Sequence, residues 1–247
     1  MKKKEWFAAW FDSPFYHVLY QNHSDAEAQQ FMNNLLTHLG AQPTARALDL
    51  ACGKGRHSRY MATKGLHVTG VDLSENSISF AQKSESETLE FYQHDMRKDF
   101  RINYFNYIFN LFTSFGYFDD DRDNLSTLKS VEKGLDTGGG TFVLDYFNAE
   151  YVRQILKPKY HQTAGGIEFL IQKKIEKGYI FKTIKFEADG QKYRFQERVR
   201  LFELSDFEQL FAAAGLKIVE KFGNYQLDAF DLGHSPRLIL VAEKIKK

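Results

Sequence analysis

"LDLACGKGRHS", residues 48–58, decides the fold. A short apolar run carrying Asp49 ends in a turn with Gly53 and Gly55 one residue apart, followed by Arg56 and His57. Glycines at that spacing let a backbone come close to a ligand, because neither carries a Cβ. The stretch reads as a strand, a tight turn and the start of a helix whose first N–H groups are free to face that ligand.

Working outward, strand and helix alternate. "HSRYMATKG" is a predicted helix closed by Gly65, and "HVTGVDL" a second strand. "SENSISFAQKS" is a helix with Ser74 as its N-cap, then strands follow at "LEFYQHD" and "YIFNLF". "DNLSTLKSVEKGL" gives the next helix and "GGTFVLDYF" a fifth strand. Crossovers of this length imply a parallel sheet with helices on both faces. Upstream, residues 25–39 place Ala28, Phe31, Met32, Leu35, Leu36 and Leu39 at helical spacing, with Gly40 as stop. Before them, Trp6 to Tyr20 reads as short helical pieces interrupted at Pro14, and its aromatics suit a lid or a core equally.

Between residues 158 and 203 the period changes to strands. "GIEFLIQKKI", "YIFKTIKFE" and "QKYRFQERVRLF" are joined by the tight-turn signals "EKG" and "ADG". Tyr193, Phe195, Val199 and Leu201 fall on one face, and Arg194, Gln196, Arg198 and Arg200 on the other. "SDFEQLFAAAG" is then a helix capped by Ser205 and ended by Gly215; "LKIVEKFGNY" and "PRLILVAEK" close the chain as a pair with no helix between them. The expected fold is α/β: a Rossmann-like, doubly wound, mostly parallel seven-stranded sheet with one antiparallel strand, plus a small antiparallel β insertion. Residues 1–157 and 204–247 form the main domain, with 1–45 as a helical lid segment, and 158–203 form the insertion over the site.

At 247 residues and 43% hydrophobic content the chain suits one large α/β domain. Thirty-three basic residues against 32 acidic ones make nucleic acid an unfavoured partner. One cysteine, Cys52, excludes an internal disulfide and points to a reducing compartment. In "MKKKEWFAAWF", Glu5 and Asp12 interrupt the apolar stretch short of a signal core, and no run of about 18 apolar residues exists. The expectation is a cytoplasmic protein, monomeric or homodimeric, with a small-molecule partner and no membrane association.

In a doubly wound sheet, ligands bind at the carboxyl edge beside the switch in strand order, where the glycine turn lies. Asp72 ends the second strand 19 residues beyond Gly53, the spacing of an acid that binds ribose hydroxyls. Asp95 follows the third strand and can hold an adenine edge; Asn110 ends the fourth. Together they imply an adenosine-containing cofactor. The dinucleotide fingerprint wants a third glycine where Ser58 stands. Asp49 would repel a phosphate but favours a cationic methionine group. These features, with the third-strand acid and the antiparallel final strand, separate S-adenosylmethionine from NAD.

"LDLACGKGRHS", "VTGVDLS", "HDMR" and "FNLFTSFGYF" resemble the class I S-adenosylmethionine-dependent methyltransferases, more narrowly the bacterial small-molecule type with a β insertion. The likeness extends to "WFDSPFYHVLY" and "FVLDYFN"; it departs at "LDTGGG", where a proline-glycine turn is usual, and at His23, where arginine is frequent. The resemblance implies an enzyme that transfers methyl groups in line from S-adenosylmethionine, leaving S-adenosylhomocysteine. It implies cofactor contacts from Tyr20, Asp49, Ala51, Cys52, Gly53, Gly55, His57, Asp72, Leu73, Asp95, Met96, Asn110 and Leu111. Gly53 and Gly55 would approach the methionine portion and ribose, Asp49 would support the amino group, and Asn110 and Leu111 would contribute backbone near the sulfonium. Leu73 would pack on the adenine, with Asp95 and Met96 flanking it.

Several residues have plainer readings. Asp72 could cap the following helix, Asp95 could serve a turn, and His57 could pack in the first helical turn. Cys52 lacks a base spaced to activate it, so it reads as a small buried residue. "DDDRD", residues 119–123, reads as a solvated turn rather than a metal site, and the histidines show no ligand spacing. Catalytic groups stay unassigned, because aligning the acceptor and excluding water carries most of such a reaction. Substrate candidates are Tyr16, Tyr117, Tyr146 and Asn148, joined by Arg198 and Arg200 if the acceptor is anionic. The alternatives are a non-catalytic S-adenosylmethionine-binding regulatory module, an RNA methyltransferase and, more distantly, an NAD oxidoreductase.

Overall fold

The computed structural model of the protein describes residues 6–20 and 25–245. The alternating pattern builds a seven-stranded sheet from β1 (Arg46–Leu50), β2 (His67–Asp72), β3 (Leu89–Gln93), β4 (Tyr107–Asn110), β5 (Thr141–Phe147), β10 (Leu216–Phe222) and β11 (Arg237–Lys244). Their order is β10-β11-β5-β4-β1-β2-β3, with β11 antiparallel to both neighbours. Strand order reverses between β1 and β4, as the alternation requires.

Strand parity sorts the core. Leu48 and Leu50 face one side with Leu128 and Val131 of α6 (Asp121–Gly134) and Phe207 and Phe211 of α8 (Leu204–Ala214). Ala47, Val68 and Val143 face the other, against Phe31, Met32 and Leu35 of α3 (Asp25–His38) and Met61 of α4 (Arg56–Thr63). Each such side chain contributes about 1.5–3 kcal/mol on burial, so the two faces account for this sheet without the insertion. α3 belongs to this core, and the predicted 1–45 lid segment therefore divides at its two halves.

α5 (Glu75–Ala81) is capped as expected by Ser74, whose hydroxyl accepts from the Ser77 N–H at 3.1 Å. α8 differs: its N-cap is Glu203, in a reciprocal capping box with Asp206, and Ser205 lies inside the first turn. A carboxylate can accept the same free N–H that a serine would, which the Ser205 expectation overlooked.

The insertion is a separate antiparallel sheet of four strands: β6 (Lys159–Ala164), β7 (Ile167–Glu176), β8 (Tyr179–Ala188) and β9 (Gln191–Arg200). The predicted turns hold, with Lys177–Gly178 and Asp189–Gly190 both at positive φ, as a type I′ hairpin needs. β6, and α7 (Ala149–Ile155) before it, are additional to the expected elements. The sheet's inner face packs on α1 (Trp6–Phe11) and α2 (Pro14–Leu19), forming a third core. There Trp10 and Leu19 meet Phe169, Ile171, Ile184 and Phe186. Ser13 caps α2 and Pro14 occupies its first turn, so the interruption falls at Ser13. No helix among the described residues is long and apolar enough to cross a membrane.

Candidate active site

The carboxyl ends of β1, β2 and β4 open into a cavity of about 2080 Å³, which runs outward to the inner face of the insertion. Its inner half is the loop after β1. Ala51, Gly53 and Gly55 alternate in the left-handed region, which coils the backbone tightly. The two glycines do different work. A Cβ on Gly53 would meet nothing within 4 Å, and Gly53 lines the cavity. A Cβ on Gly55 would lie 2.5 Å from the Phe91 ring, and Gly55 is not on the cavity wall. Gly55 thus admits Phe91 beneath the loop, where the sequence suggested approach to a ligand.

Asp72 accepts from the Gly53 N–H and the Ser74 N–H, one on each carboxylate oxygen at 2.8 Å. It ties the loop to the start of α5, while Ser74 does the capping. Burial pushes its carboxyl above the usual range, with those two N–H groups opposing. Asp49 is 2% exposed and accepts from the Ser58 hydroxyl at 2.5 Å. Burial raises it to about 6, opposed by the Ser58 bond and aided by the Asp72 charge. Ser58 therefore has a partner in Asp49 at the position where a dinucleotide fold has glycine.

His57 is buried on the cavity wall, its ring 5.1 Å from Phe112. Its Nε2 has no hydrogen-bond partner among the described residues, and burial lowers its pKa to about 3. Burial also keeps the Cys52 thiol protonated, pushing it well above its ordinary value. Leu73, Met96 and Leu111 line the wall as expected. Asp95 does too, but Arg97 holds both of its oxygens, at 3.0 and 2.7 Å, and keeps the carboxyl below its usual range against a burial penalty. The Asn110 side chain turns into the sheet, where its amide donates to the Leu50 carbonyl at 2.9 Å, which leaves only its backbone for the role the resemblance implied.

The outer half has walls from distant parts of the chain. Tyr16, Tyr20 and Tyr117 line it, all partly buried, with phenols raised by burial first and by the nearby Glu197 charge. Tyr146 and Asn148 do not reach it. Tyr146 shares the parity of Leu144 and donates its hydroxyl to the Arg200 carbonyl. Asn148 caps α7 and donates to the Leu232 and Ser235 carbonyls. Arg198 and Arg200 lie on the opposite face of β9, paired with Asp119 and Asp121. Residues 119–123 are solvent-accessible, and their acids are also engaged: Asp120 caps α6 and Asp123 pairs with Arg97. His23 lies outside the described residues.

Residues that the sequence reading passed over complete the wall. Glu197, on β9, accepts from Trp10 Nε1 and the Tyr20 hydroxyl, each at 2.7 Å. Asp12 accepts from the Ser74 hydroxyl at 2.7 Å and from the Asn76 amide at 2.9 Å. α1 and α2 are thereby fastened both to the cofactor side and to the insertion. Arg237 is paired with the fully buried Asp145 at 2.7 Å and donates to Thr113 Oγ1 at 3.0 Å. Asp145 also holds the Phe112 N–H at 2.8 Å, pinning Phe112 and Thr113 at φ 56° and 61°. Two adjacent non-glycine residues there are strained, and they front the cavity. One signal was readable: Glu197 breaks the apolar face of Tyr193, Phe195 and Val199.

Comparison with known proteins agrees with this geometry. Residues 47–139 match a family model described as a methyltransferase domain. The putative methyltransferase YqeM of Bacillus subtilis is 29% identical over 211 residues, covering 81% of this chain and 85% of that protein. A Streptomyces venezuelae dTDP-3-amino-3,4,6-trideoxy-alpha-D-glucopyranose N,N-dimethyltransferase is 24% identical, covering 69% and 75%. The crystal structure of an S-adenosylmethionine-dependent methyltransferase from Clostridium acetobutylicum superposes with a TM-score of 0.79 over 98% of both chains, at 19% identity. Residues 47–139 are a methyltransferase domain, the enzyme is S-adenosylmethionine-dependent, and S-adenosylmethionine is its cofactor. The cleft fits that molecule on its own terms: acids end adjacent strands, Gly53 fronts open space, and the His57 Nε2 is unsatisfied.

Proposed function

We propose that the enzyme methylates a small-molecule acceptor held between the β1 loop and the inner face of the insertion. One observation carries this reading: the two halves form a single cavity of about 2080 Å³. A pocket for one drug-sized ligand measures roughly 300–1,000 Å³, so this space suits cofactor and acceptor together. In the inner half, Asp72 would take the ribose hydroxyls, Leu73, Asp95 and Met96 the adenine, and Asp49 the amino group. Ala51, Cys52, Gly53, His57 and Leu111 would complete the wall around the methionine portion. Bound there, S-adenosylmethionine supplies a methyl group already attached to a good leaving group.

The protein's part is then alignment and exclusion of water. Phe7, Phe11, Tyr16, Tyr20 and Tyr117 narrow the space over the junction of the halves. Tyr16 feels both the Glu197 and Asp72 charges, and its phenol stays protonated as a hydrogen-bond donor. The sugar methyltransferase likeness favours a small polar acceptor. The test incubates the protein and methyl-labelled S-adenosylmethionine with separated metabolite, RNA and protein fractions of a bacterial extract. Label should enter the metabolite fraction. Label confined to RNA or protein would overturn the reading.

A further inference from the structure

The inner face of the insertion carries charged side chains in one row only. Register places Lys173 on β7 opposite Lys182 on β8, and Lys182 opposite Glu197 on β9. The row Ile171, Ile184 and Phe195 flanks it on one side; Ile175, Ile180 and Val199 flank it on the other. All three charged residues line the cavity.

The charges do not cancel. Lys182 donates to the Tyr20 hydroxyl, and its ammonium lies 3.8 Å from Glu197 Oε2. Glu197 is thus matched to one lysine. The half-buried Lys173 ammonium rests 5.3 Å from the centre of the Tyr160 ring and, among the described residues, has no hydrogen-bond or ion-pair partner. Arg237 is committed to Asp145, and Arg97 to Asp95 and Asp123, while Lys54 rests on the Phe80 ring and Lys157 is exposed. Like charges directly across a ladder oppose folding, and so does an unpaired charge withdrawn from water. Burial in fact pulls the Lys173 ammonium below its ordinary pKa, with Glu197 opposing. A sheet face that packs for stability alone would carry an apolar residue there, as its neighbours at 171 and 175 do.

We infer that this row receives an anionic group of the methyl acceptor, a carboxylate or a phosphate, which pairs with the Lys173 ammonium. The inference rests on the outer half being the acceptor's half. A ligand anion there supplies the missing partner, and Lys182 with Glu197 fixes the strand positions around it. Arg198 and Arg200, the basic residues that the sequence offered if the acceptor is anionic, are on the far face.

The test titrates inorganic pyrophosphate and, separately, malonate into the S-adenosylhomocysteine complex by calorimetry. Wild type should bind at least one, and which one distinguishes phosphate from carboxylate. Lys173→Gln should weaken that binding by about tenfold or more, the scale of one charge-assisted contact. Lys173→Arg should retain it, and so should Lys174→Gln, on the opposite face beside Glu176. S-adenosylhomocysteine affinity should match in all four proteins. No saturable binding of either anion, or equal binding by Lys173→Gln, would overturn the inference. Methyl transfer confined to macromolecules would sink the small-acceptor reading instead, whatever the titration gives.

Discussion

Asp49 joins the cofactor cleft to the surrounding core, and its protonation should govern cofactor affinity. Burial raises its folded-state value to about 6, above the ~4 of an unfolded chain. Its protonated form therefore favours the fold fully below ~4, and that contribution is lost as pH rises through about 6. A cationic ligand group prefers the ionised form, so the sign for binding is opposite. S-adenosylmethionine should bind about tenfold more tightly at pH 7 than at pH 5, measured by calorimetry, and Asp49→Asn should flatten the profile. His57, at about 3, and His17, at about 4, stay neutral across that window and add no slope. The same slope in Asp49→Asn would move the titration elsewhere. Asp49 and Asp72 were legible because each lies within one strand-turn-helix unit. Tyr146 was misplaced by strand parity, since one residue decides whether a side chain meets the cavity or the core.

Among the elements, the β1 loop separates binding from folding. Gly55→Ala forces a methyl into Phe91 at a left-handed φ of 77°. It should cost about 2–4 kcal/mol in urea unfolding, from strain and overpacking together. Gly53→Ala meets open space and should cost only about 1–2 kcal/mol, the left-handed penalty. Its methyl enters the cavity, however, so this variant should lose more cofactor affinity per unit of stability than Gly55→Ala. Equal effects on both readouts would erase the distinction. Glu197→Gln tests the fastening of α1 and α2. Exchanging two charge-assisted bonds for neutral ones costs about 1–2 kcal/mol, so amide exchange in residues 6–20 should quicken about tenfold while β1 to β5 hold. Unchanged exchange there would deny the fastening. β6 and α7 escaped the sequence reading because "KYHQTA" is polar at most positions and "AEYVRQI" is two turns long. Neither offers the periodic apolar signal that marked the longer elements.

Across the whole molecule, legibility follows contact distance. On the proposed reading, the cofactor half comes from residues 49–96, where motif spacing and turn chemistry act locally, with Leu111 added. The proposed acceptor half gathers residues 7–20, 112–118, 152–199 and 225–237 around one space. Its charged row exists only once three strands are in register, which no window of sequence displays. The central claim is that the cleft at the switch point binds S-adenosylmethionine through Asp72, and one thermal-melting comparison addresses it. At a hundredfold excess over Kd, S-adenosylmethionine should add about 2.7 kcal/mol, or roughly 5–10 °C for a chain of this size. NAD at the same concentration should add nothing, and Asp72→Ala should lose most of the shift. An equal shift with NAD, or an undiminished shift in Asp72→Ala, would contradict the account.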